Sequence, residues 1–202
     1  MELSEKVSPI HTALLVIDIQ NDFVSPSGKL ARKGRDLSLV ESMIDRLEKL
    51  VGKARIANVL TLYTMQIYDR NKISELQKEQ YDLDGKAVTC DVNTDGYRFY
   101  RINPSQKDVY VKYNFNVFSN TELLRRLERN HIKTLIITGM DTIYCIETAV
   151  RNGYDLGYKI VVPTDLVAGN AKHHELNAKT LELVEKSFGV LTTSDELISL
   201  WS

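Results

Sequence analysis

The sequence predicts an α/β fold: a three-layer α-β-α sandwich around a mostly parallel sheet of about six strands. Three observations carry that prediction. Short, wholly apolar runs recur along the chain. Stretches with apolar residues at helical spacing separate them. The runs also lack the polar–apolar alternation of a sheet with one wet face, so both faces are expected to be covered by helices.

The elements follow in order. Ala13-Leu-Leu-Val-Ile-Asp18 is a buried strand ending in a carboxylate. From 37 to 56, apolar residues at Leu37, Val40, Ile44, Leu47, Leu50 and Val51 have helical spacing. Asn58-Val-Leu-Thr-Leu-Tyr63 and Asp108-Val-Tyr-Val-Lys112 are the second and third strands. Ser119-Asn-Thr opens a helix with Leu123, Leu124 and Leu127 on one face, capped by Asn120 or Ser119. Thr134-Leu-Ile-Ile-Thr138 is the fourth strand, broken by Gly139, and a helix runs from Thr142–Tyr144 to Asn152–Gly153. Lys159-Ile-Val-Val162, closed by Pro163, is the fifth strand. A helix over 174–186 and a sixth strand, Val190-Leu-Thr-Thr193, complete the series. The stretch 69–104 is polar and irregular and is expected to form an insertion with short helices near the site. No repeat or linker divides the chain, so residues 1–202 are read as one domain.

Composition narrows the function. The 202 residues are 43% hydrophobic and 26% charged, with a formal net charge of -1. That balance leaves no electrostatic footprint for nucleic acid or anionic membrane. No apolar run is long enough to span a bilayer. Met1-Glu-Leu-Ser-Glu-Lys6 lacks the pattern of a signal peptide, so a cytoplasmic, reducing location and free thiols at Cys90 and Cys145 are expected. The four histidines (His11, His131, His173 and His174) have no metal-ligand spacing. The chain has no Gly-x-Gly-x-x-Gly or Gly-x-x-x-x-Gly-Lys loop, which argues against a nucleotide-binding domain. No metal and no cofactor are expected.

In open parallel sheets ligands bind at the carboxyl ends of the strands. Asp18 ends the first strand, Lys112 ends the third, and Cys145 lies just after the fourth, in the first turn of a helix. Taken singly, each has a structural reading: a turn-forming aspartate, a solvated lysine and a buried small thiol. Their shared edge is the signal. A thiolate is a nucleophile, and a helix N-terminus and a neighbouring ammonium are expected to lower the Cys145 pKa. Asp18 suits the general acid–base role, and backbone N–H groups before Cys145 suit an oxyanion. Cys90, in the irregular stretch, is read as structural. Glu147 and Arg151, one helical turn apart, are read as a surface pair.

Three of these segments resemble the isochorismatase-like cysteine hydrolases, which include nicotinamidases, N-carbamoylsarcosine amidases, ureidoacrylate and biuret hydrolases, and isochorismatases. Leu15-Val-Ile-Asp-Ile-Gln-Asn-Asp-Phe-Val24 is similar to the family's opening strand, with Asp18 in the place of the catalytic aspartate. The segment from Val111 to Leu123 resembles the one that begins with the catalytic lysine, here Lys112. Thr138-Gly-Met-Asp-Thr-Ile-Tyr-Cys-Ile-Glu-Thr-Ala149 resembles the nucleophile turn, with Cys145 as the thiol. The resemblance implies a cis peptide at Met140–Asp141, with the N–H groups of Asp141 and Cys145 as oxyanion donors. Aspartate at 141 departs from the small or hydroxyl residues familiar there. The Asp-x-His…His metal site of nicotinamidases has no counterpart in Tyr63-Thr-Met-Gln-Ile-Tyr-Asp-Arg70. The resemblance therefore implies a metal-independent amidohydrolase acting on a small amide or ureide through a Cys145 thioester. An isochorismatase-like ether hydrolase and a nicotinamidase-type amidase are the alternatives. Motif position places Phe23, Tyr68, Asn116, Ile143 and Tyr144 at the pocket wall, and a homodimer or homotetramer is implied.

Overall fold

The computed structural model describes residues 2–84 and 88–201. Its strands are β1 (Thr12–Ile17), β2 (Leu60–Gln66), β3 (Val109–Lys112), β4 (Thr134–Met140), β5 (Lys159–Pro163), β6 (Val167–Ala168) and β7 (Gly189–Thr192). The α-helices are α1 (Leu3–Lys6), α2 (Asn21–Val24), α3 (Lys29–Arg32), α4 (Val40–Ile56), α5 (Glu75–Asp84), α6 (Thr121–Arg129), α7 (Glu147–Asp155), α8 (His174–Ser187) and α9 (Ser194–Leu200). The strands form one sheet in the order β3-β2-β1-β4-β5-β7, with β6 also on β4 and every pairing parallel.

Alternating residues of the central strands feed two cores, as the pleat requires. Leu14 and Val16 of β1 and Ile136 of β4 pack with Ile44, Leu47 and Leu50 of α4 and Leu197 of α9. Ala13, Leu15 and Ile17 of β1, with Leu135 and Ile137 of β4, pack with Leu123 and Leu127 of α6, Ala149 and Val150 of α7 and Val184 of α8. Every residue of β1 and of β4 is buried, which is why neither strand shows polar alternation. The three layers follow.

Two differences from the sequence reading bear on the site. Strand β2 runs on to Gln66 rather than stopping at Tyr63, and Gln66 is in register with Lys112. The seventh strand, β6, has only two residues: the chain leaves β5 through Pro163 and the turn Thr164–Leu166, then returns to β4 to pair Ala168 with Met140. Neither β6 nor α9 carries a periodic signal of useful length. The stretch 69–104 does form an insertion, built on α5 and a 3₁₀ turn at Asp95–Tyr97 and tied down by the bridges Gln20–Phe99 and Tyr68–Asp91. Asn120, not Ser119, caps α6, accepting from the N–H groups of Glu122 and Leu123.

The strand order reverses about β1, which makes the carboxyl ends of β1 and β4 the topological switch point. There the backbone of β4 passes very close to β1. Gly139 has φ +117, and a Cβ on it would lie 2.0 Å from the carbonyl oxygen of Ile17. Neither a side chain nor the buried strand beneath it has room to yield. Gly139→Ala is expected to destabilise the protein by at least about 2 kcal/mol, read as a lower urea midpoint with unchanged slope. A wild-type midpoint would show that β1 and β4 do not approach this closely.

Candidate active site

Asp18 stands one residue past β1 with φ +55, a left-handed conformation that turns the chain out of the sheet. Its N–H donates to the Thr64 carbonyl at 3.3 Å, and its Oδ1 accepts from Thr64 Oγ1 at 2.9 Å. Lys112 ends the edge strand β3, yet its side chain is only 1% exposed. Its ammonium donates to Gln66 Oε1 at 2.8 Å, to the Asn114 carbonyl at 3.0 Å and to Cys145 Sγ at 3.3 Å. Asp18 Oδ2 lies 2.7 Å from the same nitrogen. Oδ2 and the ammonium form an ion pair in which both side chains are only 1% exposed.

Cys145 sits in a π-helical turn, Thr142–Ile146, that leads into α7. The turn begins at Asp141, and the Met140–Asp141 peptide is cis, as the resemblance implied. The electrostatic expectation for the thiol is corrected. Burial, first, and the Asp18 carboxylate, second, push the Cys145 pKa up to about 12; Lys112 opposes them and does not prevail. The resting thiol is therefore protonated. For Lys112, burial is the largest single influence and opposes its charge, but Asp18 and Cys145 together overcome it and raise its pKa. The ammonium stays charged. Cys90 is a buried, free thiol whose Sγ reaches the Gly96 carbonyl at 3.7 Å, and burial raises its pKa too. Glu147 and Arg151 form the expected pair, at 2.8 Å.

Asp18 and Cys145 line a cavity of about 320 Å³, a size that suits a small molecule, while Lys112 contacts both without lining it. Phe23 and Tyr144 line it as expected; Tyr144 stacks on Phe115 with ring centroids 5.5 Å apart. Tyr68, Asn116 and Ile143 do not line it. Tyr68 packs edge-on against Tyr81, which itself takes the place at the wall. Asn116 spends its Oδ1 on the Phe118 N–H, capping a 3₁₀ turn, and its amide on Asn152. Ile143 is half-buried, its N–H held by the Asp141 carboxylate at 3.3 Å. Of the polar lining residues not singled out from sequence, which also include Lys33, Tyr81 and Thr89, Gln66 and Arg35 bear on the site. Gln66 was legible in principle, at the end of β2 on the same sheet edge as Asp18 and Lys112. Arg35, in the loop after α3, is paired with Asp141 and carries no sequence signal of that role. Among the described residues no group of three His, Cys, Asp or Glu side chains is placed to hold a metal ion, and no helix is long and apolar enough to cross a membrane.

The family model for the Isochorismatase domain matches residues 12–196, from β1 into α9. The chain belongs to that family. Among Isochorismatase relatives, the ureidoacrylate amidohydrolase RutB of Acinetobacter baylyi is 24% identical over 213 aligned residues, covering 96% of this chain and 85% of that one. The crystal structure of a cysteine hydrolase from Pseudomonas syringae pv. phaseolicola 1448A superposes with a TM-score of 0.82 at 23% identity, covering 97% of this chain and 94% of that one. The N-carbamoylsarcosine amidase of Thermoplasma acidophilum gives a TM-score of 0.73 at 21% identity, covering 91% and 96%. These structures share the Isochorismatase-family fold of this chain.

The charges around Cys145 set opposite expectations for two substitutions. Lys112→Met removes the group that favours the thiolate and should slow iodoacetamide alkylation of Cys145 at pH 8 by about tenfold or more. Asp18→Asn removes a group that favours the thiol and should speed alkylation by a comparable factor. Because the thiol titrates near 12 and only thiolate reacts, the wild-type rate should keep climbing above pH 10, where an ordinary thiol has levelled off. Peptide mapping by mass separates Cys145 from Cys90. Rates that move in the same direction in both variants would refute this account of the thiol.

Proposed function

We propose that this chain is a metal-independent cysteine hydrolase that cleaves the C–N bond of a small amide or ureide through a thioester on Cys145. The observation that carries the reading is the buried cluster in which Lys112 Nζ stands 2.7 Å from Asp18 Oδ2 and 3.3 Å from Cys145 Sγ, with Asp18 and Cys145 lining the cavity. The names borne by relatives, a ureidoacrylate amidohydrolase and an N-carbamoylsarcosine amidase, agree with it.

The chemistry follows from the protonated thiol. As the substrate carbonyl settles over Cys145, Asp18 Oδ2 accepts the thiol proton while sulfur attacks the carbonyl carbon. The carbonyl oxygen becomes an oxyanion held by the N–H groups of Asp141 and Cys145. Collapse breaks the C–N bond, and Asp18 returns the proton to the leaving nitrogen. A thioester remains. Water then gives its proton to Asp18 and adds to the thioester; collapse expels sulfur, which takes the proton back, and the acid departs. Lys112 keeps its charge throughout and stabilises whichever neighbour is anionic. A nucleophilic thiol favours the amide reading over vinyl-ether cleavage, which needs none. The absence of a His pair after β2 separates this chain from the metal-bearing nicotinamidase pattern.

Ammonia release from ureidoacrylate, N-carbamoyl amino acids, biuret and nicotinamide is the direct assay. On the substrate so found, Cys145→Ala should lower kcat by at least about 10³-fold while the far-ultraviolet circular dichroism stays that of the wild type. Turnover by the variant at the wild-type rate removes the nucleophile assignment. Dialysis against EDTA and then dipicolinate should leave activity within about twofold. Loss on chelation, reversed by zinc or iron, would contradict metal independence.

A further inference from the structure

Asp141 places a carboxylate on the very residue whose N–H is assigned to the oxyanion. A negative side chain there opposes the transition state, because like charges repel strongly where water is scarce. The structure also holds the countermeasure. The Arg35 guanidinium is paired with Asp141 Oδ2, and the two side chains are only 17% and 9% exposed. Asp141 Oδ1 accepts from the Ile143 N–H at 3.3 Å, so both carboxylate oxygens are engaged at the start of the nucleophile turn.

We infer that Arg35 is a positioning residue for this reaction: it neutralises the Asp141 carboxylate and holds it turned away from the oxyanion. The inference rests on the thioester reading above. The surroundings are built for the pairing. Residues on both sides of Arg35 are anchored to one segment: Lys172 Nζ donates to the Gly34 carbonyl at 3.1 Å, the Ala171 N–H donates to the Asp36 carbonyl at 3.1 Å, and the Asp36 N–H donates to Asn170 Oδ1 at 3.3 Å. That segment follows β6, whose Ala168 pairs with Met140, the neighbour of Asp141. Between them, Gly169 leaves the carboxylate its space; a Cβ there would lie 2.8 Å from Asp141 Oδ1. Among the described residues the buried Arg35 Nε has no hydrogen-bond partner, so the guanidinium tolerates an imperfect site to stay beside Asp141.

The probe is 4-nitrophenyl acetate, a neutral acyl donor that Arg35 has no charge to bind. The wild type should show a burst of 4-nitrophenolate that Cys145→Ala abolishes. Arg35→Gln should slow that acylation about 10- to 100-fold with little change in the half-saturating concentration, as loss of oxyanion stabilisation does. Arg35→Lys, which keeps the charge, should recover most of the rate. In an Asp141→Asn background, adding Arg35→Gln should change acylation by less than about threefold, because the charge it serves is gone. A Cys145-dependent burst that Arg35→Gln leaves unchanged overturns the inference. So does an equal slowing with and without the Asp141 carboxylate, which would make Arg35 a structural or substrate-binding residue. Absence of any Cys145-dependent burst in the wild type strikes the thioester reading itself, and the inference with it.

Discussion

The buried Lys112 ammonium is the constraint around which the site is arranged. A lysine at the end of an edge strand ordinarily faces water and blunts the edge. Here it is the bulkiest of the fully buried side chains. Taking an ammonium out of water is costly unless every N–H is met and an opposite charge stands close. Four atoms from four places meet those demands: Gln66 from β2, Asn114 from the turn after β3, Cys145 from the nucleophile turn and Asp18 from the end of β1. The lysine therefore ties together three strands and the turn after β4. Loss of a partner from such a buried pair typically costs about 3–5 kcal/mol, so the contacts on which the proposed chemistry rests also hold the sheet edge in shape.

What the sequence disclosed depended on the length scale of each signal. β1 and β4 were legible because both faces are covered, and continuous apolar runs are what that burial selects. Asp18, Lys112 and Cys145 were legible because parallel strands deliver their ends to one edge. Gln66 was missed because β2 was ended three residues early, at Tyr63, where the apolar run is interrupted by Thr64 although Thr64 itself is buried. β6 was missed because two residues have no periodicity. Tyr68 and Asn116 were placed at the wall by motif position, yet their side chains are engaged by Tyr81 and by the Phe118 N–H. The partner of Asp141 was out of reach altogether: Arg35 is 106 positions away in the chain, in a loop with no regular pattern. Sequence exposed the unusual aspartate; only the fold supplied its counter-charge.

The thiol is where local reasoning and the assembled site part company. A cysteine near a helix start, with a lysine beside it, argues for a depressed pKa. In the folded protein the positive end of the turn is already occupied, because the Asp141 carboxylate accepts the Ile143 N–H there. The lysine's charge is shared with Asp18. Burial then decides the balance, and the thiol rises to about 12.

On the proposed reading, a protonated thiol in this site agrees with the charge balance. A carboxylate, an ammonium and a neutral thiol together carry no net charge. Passing the proton from sulfur to Asp18 leaves a neutral acid, an ammonium and a thiolate, again with no net charge. The acyl transfer proposed above would thus proceed by moving one proton within the cluster, with no ion left uncompensated in a weakly solvated pocket. A permanent thiolate beside a permanent carboxylate would instead place two anions on one ammonium, and the second would have to be stabilised before any substrate arrived. The raised thiol pKa fits that proposal: a site so arranged would withhold the thiolate until a carbonyl is there to receive its electrons.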